Sequence, residues 1–426
     1  MDKNQLLLDN FSAEGQELTP LKENIKAMTE ATGEIIAHGK DITFLSLCEL
    51  KEMQVDGKLT FFVLSPEYLD DFLKEGQRLR AGTVPIDQLG QELADELVKT
   101  SGLLVVIDDE RYILSEKAIK TLTRQTCLGG DEMIAEHCFA RNLYLATCVF
   151  RRNDKLKIVY REENGIKKIF GFFKHKYARY PQTVLTDAVK KLKATVSKWA
   201  VSQDVTDIFT NWGEKGKNYT PGIFFRTSDI GRGSLIARSI ITFDNGGHII
   251  LQEIPFMHCN KYLNIDMAEE VEDTFKKDIS AFSKEYGAKA DLEIIDYSRI
   301  DPEKEENAAI NRQMVEETVE KLAREVFRKV KIPKGRFEAA FASVDKLKEL
   351  KEQVKQSNKN AKKKAEWKTA KSVYHYVQIE NRKYTYGDII AIIAKAIDVL
   401  EENGLDESTV TEMRSCDFLN LKATSA

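Results

Sequence analysis

The sequence predicts an α+β protein, with an antiparallel, β-hairpin-rich body, packed helices and a mainly helical C-terminal third. Three observations carry this expectation. Residues 103–125, LLVVIDDERYILSEKAIKTLTRQ, read as strand, acidic turn, strand and helix. Asn164-Gly165 and Asn245-Gly246 each separate two β-rich runs, and such pairs suit tight hairpins because both residues tolerate positive φ. From Pro302 onward the apolar spacing becomes helical. The chain has 426 residues, 42% hydrophobic and 31% charged, so size does not limit its core. The expected organisation is an acidic, mainly helical region over 1–100, an α+β core over 101–300 and a helical region over 301–426.

In order along the chain, the first 30 residues are polar and Glu-rich and read as a loosely held arm. Leucines at three- and four-residue steps predict helices over Glu67–Arg80 and Ile86–Lys99. Strands at Leu103–Ile107 and Tyr112–Leu114 lead into a helix capped by Ser115, a residue type that accepts from the first free amides. KLKIVYREENGIKKIFGFF then forms a hairpin, and TVLTDAVKKLKATVSKWA reads as a basic amphipathic helix. A second hairpin joins SLIARSIITF to HIILQEI. Before it, Gly231-Arg232-Gly233 lacks the third glycine of a dinucleotide fingerprint and the Gly-Lys-Ser/Thr of a P-loop, and reads as a bulge or turn. In the last third, Phe337, Phe341, Val344, Leu347, Leu350 and Val354 form a narrow stripe that needs a partner helix. Asp388–Leu400 reads as a helix buried on most sides.

A formal charge of −4 conceals strong alternation. Residues 1–110 carry 10 Lys/Arg against 22 Asp/Glu, residues 151–198 carry 14 against 4, residues 199–320 carry 13 against 23, and residues 321–383 carry 19 against 7. Two basic blocks between acidic ones suit phosphate neutralisation. Within the first, Lys168–Phe172 matches half of an RNA-recognition octamer at Lys168, Phe170, Gly171 and Phe172. The full RNA-recognition arrangement is excluded, because only a hairpin arm and turn separate this strand from the nearest candidate partner strand, Leu143–Cys148. Strand alternation puts Lys168, Phe170, Phe172, Lys174 and Lys176 on one face. That face is either a base-stacking platform framed by lysines or a core face whose lysines snorkel.

Six scattered cysteines without a CxxC pair speak against a disulfide framework and a structural zinc site. His137-Cys138 and His258-Cys259 have the wrong spacing for metal ligands, and no metal or cofactor is expected. The opening MDKNQLLLDNFSAEG lacks a signal-peptide pattern, and no apolar run is long enough to span a bilayer, so a cytoplasmic protein with no membrane partner is expected.

RYILSEKAIKTLTRQ, GFFKHKYARYPQTVLTDAV, PGIFFRTSDIGRGSLIARSIITF, HCNKY and EWKTAKSVYHYV together resemble the phage/plasmid-like proteins grouped as domain of unknown function 932, over residues 100–380. The resemblance departs at Cys259-Asn260-Lys261, where the family commonly has Cys-Asn-Gly. It implies a gene carried by a mobile element and supplies no catalytic residue set.

The function expected is therefore non-enzymatic nucleic-acid binding, with single-stranded DNA as partner, in replication, recombination or annealing. The candidate contacts are Arg151, Arg152, Lys168, Phe170, Phe172, Lys174, Lys176, Arg179, Lys190, Lys191, Arg226, Arg232 and Arg238. Two alternatives stand beside it. One is a structural protein that self-associates through its C-terminal helices. The other is a metal-dependent nuclease using Asp229, Asp244, His248, Glu253 and His258.

Overall fold

A computed structural model describes residues 4–47, 57–75, 79–100, 102–126, 139–228, 230, 235–256, 266–357 and 370–420. The first half of the chain runs β1 (Ser12–Gly15), α1 (Leu18–Ala31), β2 (Thr32–His38), β3 (Thr43–Leu47), β4 (Lys58–Leu64), α2 (Pro66–Glu75), β5 (Ala81–Pro85), α3 (Gln91–Lys99), β6 (Leu103–Ile107), β7 (Glu110–Leu114), α4 (Glu116–Gln125), α5 (Phe139–Phe150), β8 (Lys155–Glu163) and β9 (Ile166–Lys174). The second half adds α6 (Thr183–Lys191), β10 (Thr195–Ser202), β11 (Thr206–Asn211), β12 (Tyr219–Thr227), β13 (Leu235–Phe243), β14 (His248–Phe256), α7 (Met267–Lys289), α8 (Ala308–Val326), α9 (Lys334–Phe341), α10 (Val344–Ser357), α11 (Tyr386–Glu402) and α12 (Glu407–Arg414). The fold is α+β with a helical C-terminal region.

The strands form two sheets. One has eight strands in the order β2-β8-β9-β7-β6-β3-β4-β5, antiparallel except where β7 runs parallel to β9. The other is a six-stranded antiparallel meander, β10 to β14, with β1 added at its edge. Strands β2–β5 therefore share one sheet with β6–β9 and β1 joins the other, so both sheets draw strands from either side of residue 100.

Apolar side chains from β6–β9 pack under α4 and α5, with Phe44, Leu114, Leu145, Ile158 and Phe172 fully buried. One face of the six-stranded sheet is covered by α1, α6 and α7, and its far end by α8 and α11. The helix α11 is apolar on nearly every side, with Ile389, Ile390, Ile393, Ile397 and Leu400 at 0% exposure, which fits a helix enclosed by other elements. A capping box closes its N-terminus, where Asp388 accepts from the Thr385 amide at 2.9 Å.

Several sequence expectations hold. Ser115 caps α4 by accepting from the Ala118 amide at 3.0 Å, and Asn164 and Gly165 take φ of 52° and 79° in the β8–β9 turn. Others need correction. In place of a loosely held arm, Ser12–Gly15 forms β1 and α1 begins at Leu18, with its own Leu21, Ile25 and Met28 buried. TVLTDAVKKLKATVSKWA is helical only to Lys191. Lys193 then turns at φ 52°, and TVSKWAVS pairs as β10 because its β-branched residues suit a pleated strand. Ile86–Lys99 divides into a 3-10 turn and α3. The stripe from Phe337 breaks at Ala342, whose extended backbone separates α9 from α10.

Candidate nucleic-acid interface

On β9 the expected outward platform is absent, because both faces of the strand are buried. Register slips between Val159 and Tyr160, leaving Phe170 as an extra residue opposite β8. This bulge breaks strict alternation. Ile169 and Phe172 pack into the core under α4 and α5, while Phe170 and Phe173 pack on the other side with Val159 and Ile230. Phe170 and Phe172 are both at 0% exposure, and neither presents a ring to a base. Lys168 does not snorkel outward either. It is 1% exposed, 3.1 Å from Asp9 and hydrogen-bonded to Glu96, with its ammonium 5.6 Å from the Phe170 ring. Arg161 behaves similarly, fully buried, donating to Gln203 and lying 4.9 Å from the same ring. Both cations lie where the two sheets meet. Gln203 in turn donates to the carbonyls of Leu6 and Leu8, at 2.7 and 2.6 Å, so the N-terminal segment is pinned there.

Half of the other ten expected phosphate ligands already face a carboxylate. Arg179 donates to Glu34 at 3.1 Å and Lys191 donates to Asp266. Arg152 donates to Asp154 at 2.9 and 2.6 Å, and the Asp154 carboxyl is held below its usual range chiefly by that bond. Arg226 grips Asp207 at 2.6 and 2.7 Å, and Arg238 donates to Glu253 at 2.6 Å. Arg232 lies outside the described residues, as do the Gly231-Arg232-Gly233 turn and the His137-Cys138 and His258-Cys259 pairs. Arg151, Lys174, Lys176 and Lys190 are exposed and have no ion-pair partner among the described residues.

Three of these four converge. Lys174 ends β9 opposite Leu156, one residue from the start of β8 at Lys155, and Lys176 follows in the next turn. Arg151 directly follows α5, and Lys155 pairs with His38 at the end of β2. The turn after β2 packs tightly on α5, since a Cβ on Gly39 would stand 1.9 Å from the Val149 carbonyl oxygen. That contact brings the exposed Lys40 to the same end of the sheet. Lys40, Arg151, Lys155, Lys174 and Lys176 thus form one basic rim, with Asp41 and the Arg152-paired Asp154 as exposed carboxylates beside it. Lys155 and Lys40 were missed in the sequence. Lys155 lies within the basic block and could have been chosen, whereas Lys40 joins only through the β2–β8 register. Lys190 sits apart on α6, against the six-stranded sheet.

No family model, curated protein or solved structure matches the chain.

The nuclease alternative rests on Asp229, Asp244, His248, Glu253 and His258, and the assembly alternative on the stripe from Phe337 to Val354. Among the described residues no group of three or more His, Cys, Asp or Glu side chains is arranged to hold a metal ion. Asp244 pairs with Lys215 at 3.3 Å and Glu253 with Arg238, while Asp229 and His258 lie outside the described residues. Phe337 and Phe341 are buried in the chain's own core beside α8 and α11, and Leu347 is buried in a smaller cluster with Ala339 and Ala342. Among the described residues no helix is long and apolar enough to cross a membrane.

Proposed function

We propose that the protein binds nucleic acid without catalysing its cleavage, through contacts of the basic rim with the phosphate backbone. The observation that supports this reading is the set of exposed, carboxylate-free cations gathered from α5, β8, β9 and the turn after β2. Unpaired cations on one rim release condensed counterions when they meet phosphates, whereas a cation already held by a carboxylate gains little. With Phe170 and Phe172 inside the core, the reading narrows to sequence-independent phosphate contact. Single-stranded DNA is the polymer to test first, because a flexible strand can bring successive phosphates to cations spread over several elements.

Fluorescence anisotropy with labelled single-stranded DNA, duplex DNA and RNA tests the reading at low salt. The Lys174→Glu/Lys176→Glu variant should bind at least about tenfold more weakly while its thermal midpoint stays within a degree or two, since neither side chain has a partner to lose. Equal binding by the wild type and this variant would move the interface elsewhere.

A further inference from the structure

A pocket of about 170 Å³ opens on the face of the six-stranded sheet that carries Phe209 and Phe224, bounded by Glu401 of α11 and by α12. Three guanidinium groups line it, from Arg226, Arg238 and Arg414. They are not equally satisfied. Arg226 uses both edges of its fork, donating to Asp207 and to Glu407. Arg414 donates from Nη2 to Asp398 and Glu401, each at 2.9 Å, while its buried Nε has no acceptor. Arg238 bonds only from Nε, to Glu253, and its two Nη groups find no acceptor among the described residues. Both side chains are 13% exposed, so bulk water has little access to them.

The surrounding charge has a direction. Glu407 and Glu401 stand at the rim, with side chains 62% and 45% exposed, whereas the arginines point inward. His248 lies edge-on to Phe209, with ring centroids 5.6 Å apart, and its Nδ1 is 4.0 Å from Asp398. Burial, then the positive charges of Arg414, Arg238 and Lys395, hold this imidazole well below its ordinary pKa despite the nearby Asp398. Carboxylates of Asp207, Glu401 and Glu407 share the lining with the three arginines, yet Arg414 Nε and the Arg238 Nη groups remain donors without an acceptor among the described residues. Buried polar groups are ordinarily hydrogen-bonded, and an unsatisfied set around a cavity calls for a water or a ligand carrying acceptors. Guanidinium forks match carboxylate and phosphate oxygens in geometry as well as charge.

We propose that this pocket binds a small oxyanion, a carboxylate or phosphate group, with Arg238 and Arg414 donating to its oxygens and Phe224 forming the apolar wall. The guanidinium carbons of Arg226 and Arg238 each lie 5.4 Å from the Phe224 ring centroid. The volume is below the roughly 300–1,000 Å³ of drug-sized sites, so it suits one small anionic group rather than a run of nucleotides. The site is separate from the basic rim and does not depend on nucleic-acid binding.

The test uses the full chain, with thermal unfolding and titration calorimetry in sodium phosphate, sodium acetate and sodium chloride at matched ionic strength. Phosphate or acetate should raise the midpoint saturably above the chloride control, as expected for a ligand of the native state. The stronger of the two responses identifies which oxyanion chemistry the site prefers. Arg238→Gln should weaken apparent affinity at least about tenfold, the scale of losing charged hydrogen bonds. Glu407→Gln, which removes a competing rim carboxylate, should tighten it about threefold. Glu407→Gln keeps the result readable even if Arg238→Gln folds poorly. No saturable response to either anion, or a response unchanged in both variants, would overturn the proposal and leave a pocket filled by water alone. The rim variant Lys174→Glu/Lys176→Glu should keep the full anion response.

Discussion

Lys168 joins Asp9 near the N-terminus and Glu96 on α3 to the middle of the β8–β9 hairpin. Truncating one member of a buried charge cluster leaves the others desolvated and unpaired, which costs far more than losing a surface pair. Lys168→Ala should therefore lower unfolding free energy by about 3–5 kcal/mol in urea titrations. A change below about 0.5 kcal/mol, the range of ordinary surface substitutions, would show that the ammonium is in contact with solvent. His248 makes a second prediction at this scale. Its pKa is depressed in the folded chain, so below the ordinary value of 6.5 the unfolded chain takes up a proton that the folded chain resists. The contribution to stability is complete above about pH 6.5 and declines as pH falls below it. Replacing His248 by Gln should flatten the stability profile between about pH 5 and 6.5, measured by urea unfolding at each pH. A profile unchanged by the substitution would mean that this imidazole is protonated freely in the native state.

Among elements, the hairpin joining β13 to β14 shows how closely the sheet and the C-terminal helices meet. At Gly247 a Cβ would stand 2.4 Å from the Lys395 amide nitrogen and 2.8 Å from the Ala394 carbonyl carbon, so the turn rests directly on the α11 backbone. Asn245 adds a bond from its side-chain amide to the Ala391 carbonyl at 2.7 Å. Since neither backbone can retreat cheaply, Gly247→Ala should destabilise by about 1–3 kcal/mol, the cost of overpacking a filled site. Wild-type stability in that variant, measured by denaturant unfolding, would mean that the turn and α11 are not in contact. The hairpin itself was legible, because Asn-Gly-Gly between alternating strands is a local signal. Its seat on α11 was not, because nothing local to residues 245–247 specifies a helix beginning at Tyr386. The same distinction explains β9. The lysines and phenylalanines were visible as a pattern, but the bulge at Phe170 depends on the β8 register, and one extra residue redirects the side chains beyond it.

In the whole molecule, the alternation of charge along the chain describes two different arrangements. Much of the first basic block is matched by acidic residues from elsewhere, as in Lys168 with Asp9 and Glu96, Arg179 with Glu34, and Lys191 with Asp266. Of the cations left unmatched, Arg151, Lys155, Lys174 and Lys176 gather at one end of the eight-stranded sheet, while Lys190, Lys193 and Lys198 lie on α6, the turn after it and β10, at the other sheet. The sequence supplied the fold class, both hairpins and three of the five rim cations, Arg151, Lys174 and Lys176. It could not separate them from paired neighbours such as Lys168 and Arg179, because those pairings depend on residues more than a hundred positions away.

The central claim is that this unmatched rim binds phosphates, and the salt dependence of single-stranded DNA binding tests it most directly. About four phosphate contacts imply a slope of log affinity against log salt near −3, from roughly −0.7 per contact on a single strand. Replacing Arg151, Lys155, Lys174 and Lys176 together by Ala leaves only Lys40 and should bring that slope to about −0.7 or less in magnitude and abolish binding at moderate salt, with the fold intact by circular dichroism. Absence of wild-type binding even at low salt, or an unchanged slope in the fourfold variant, would contradict the account.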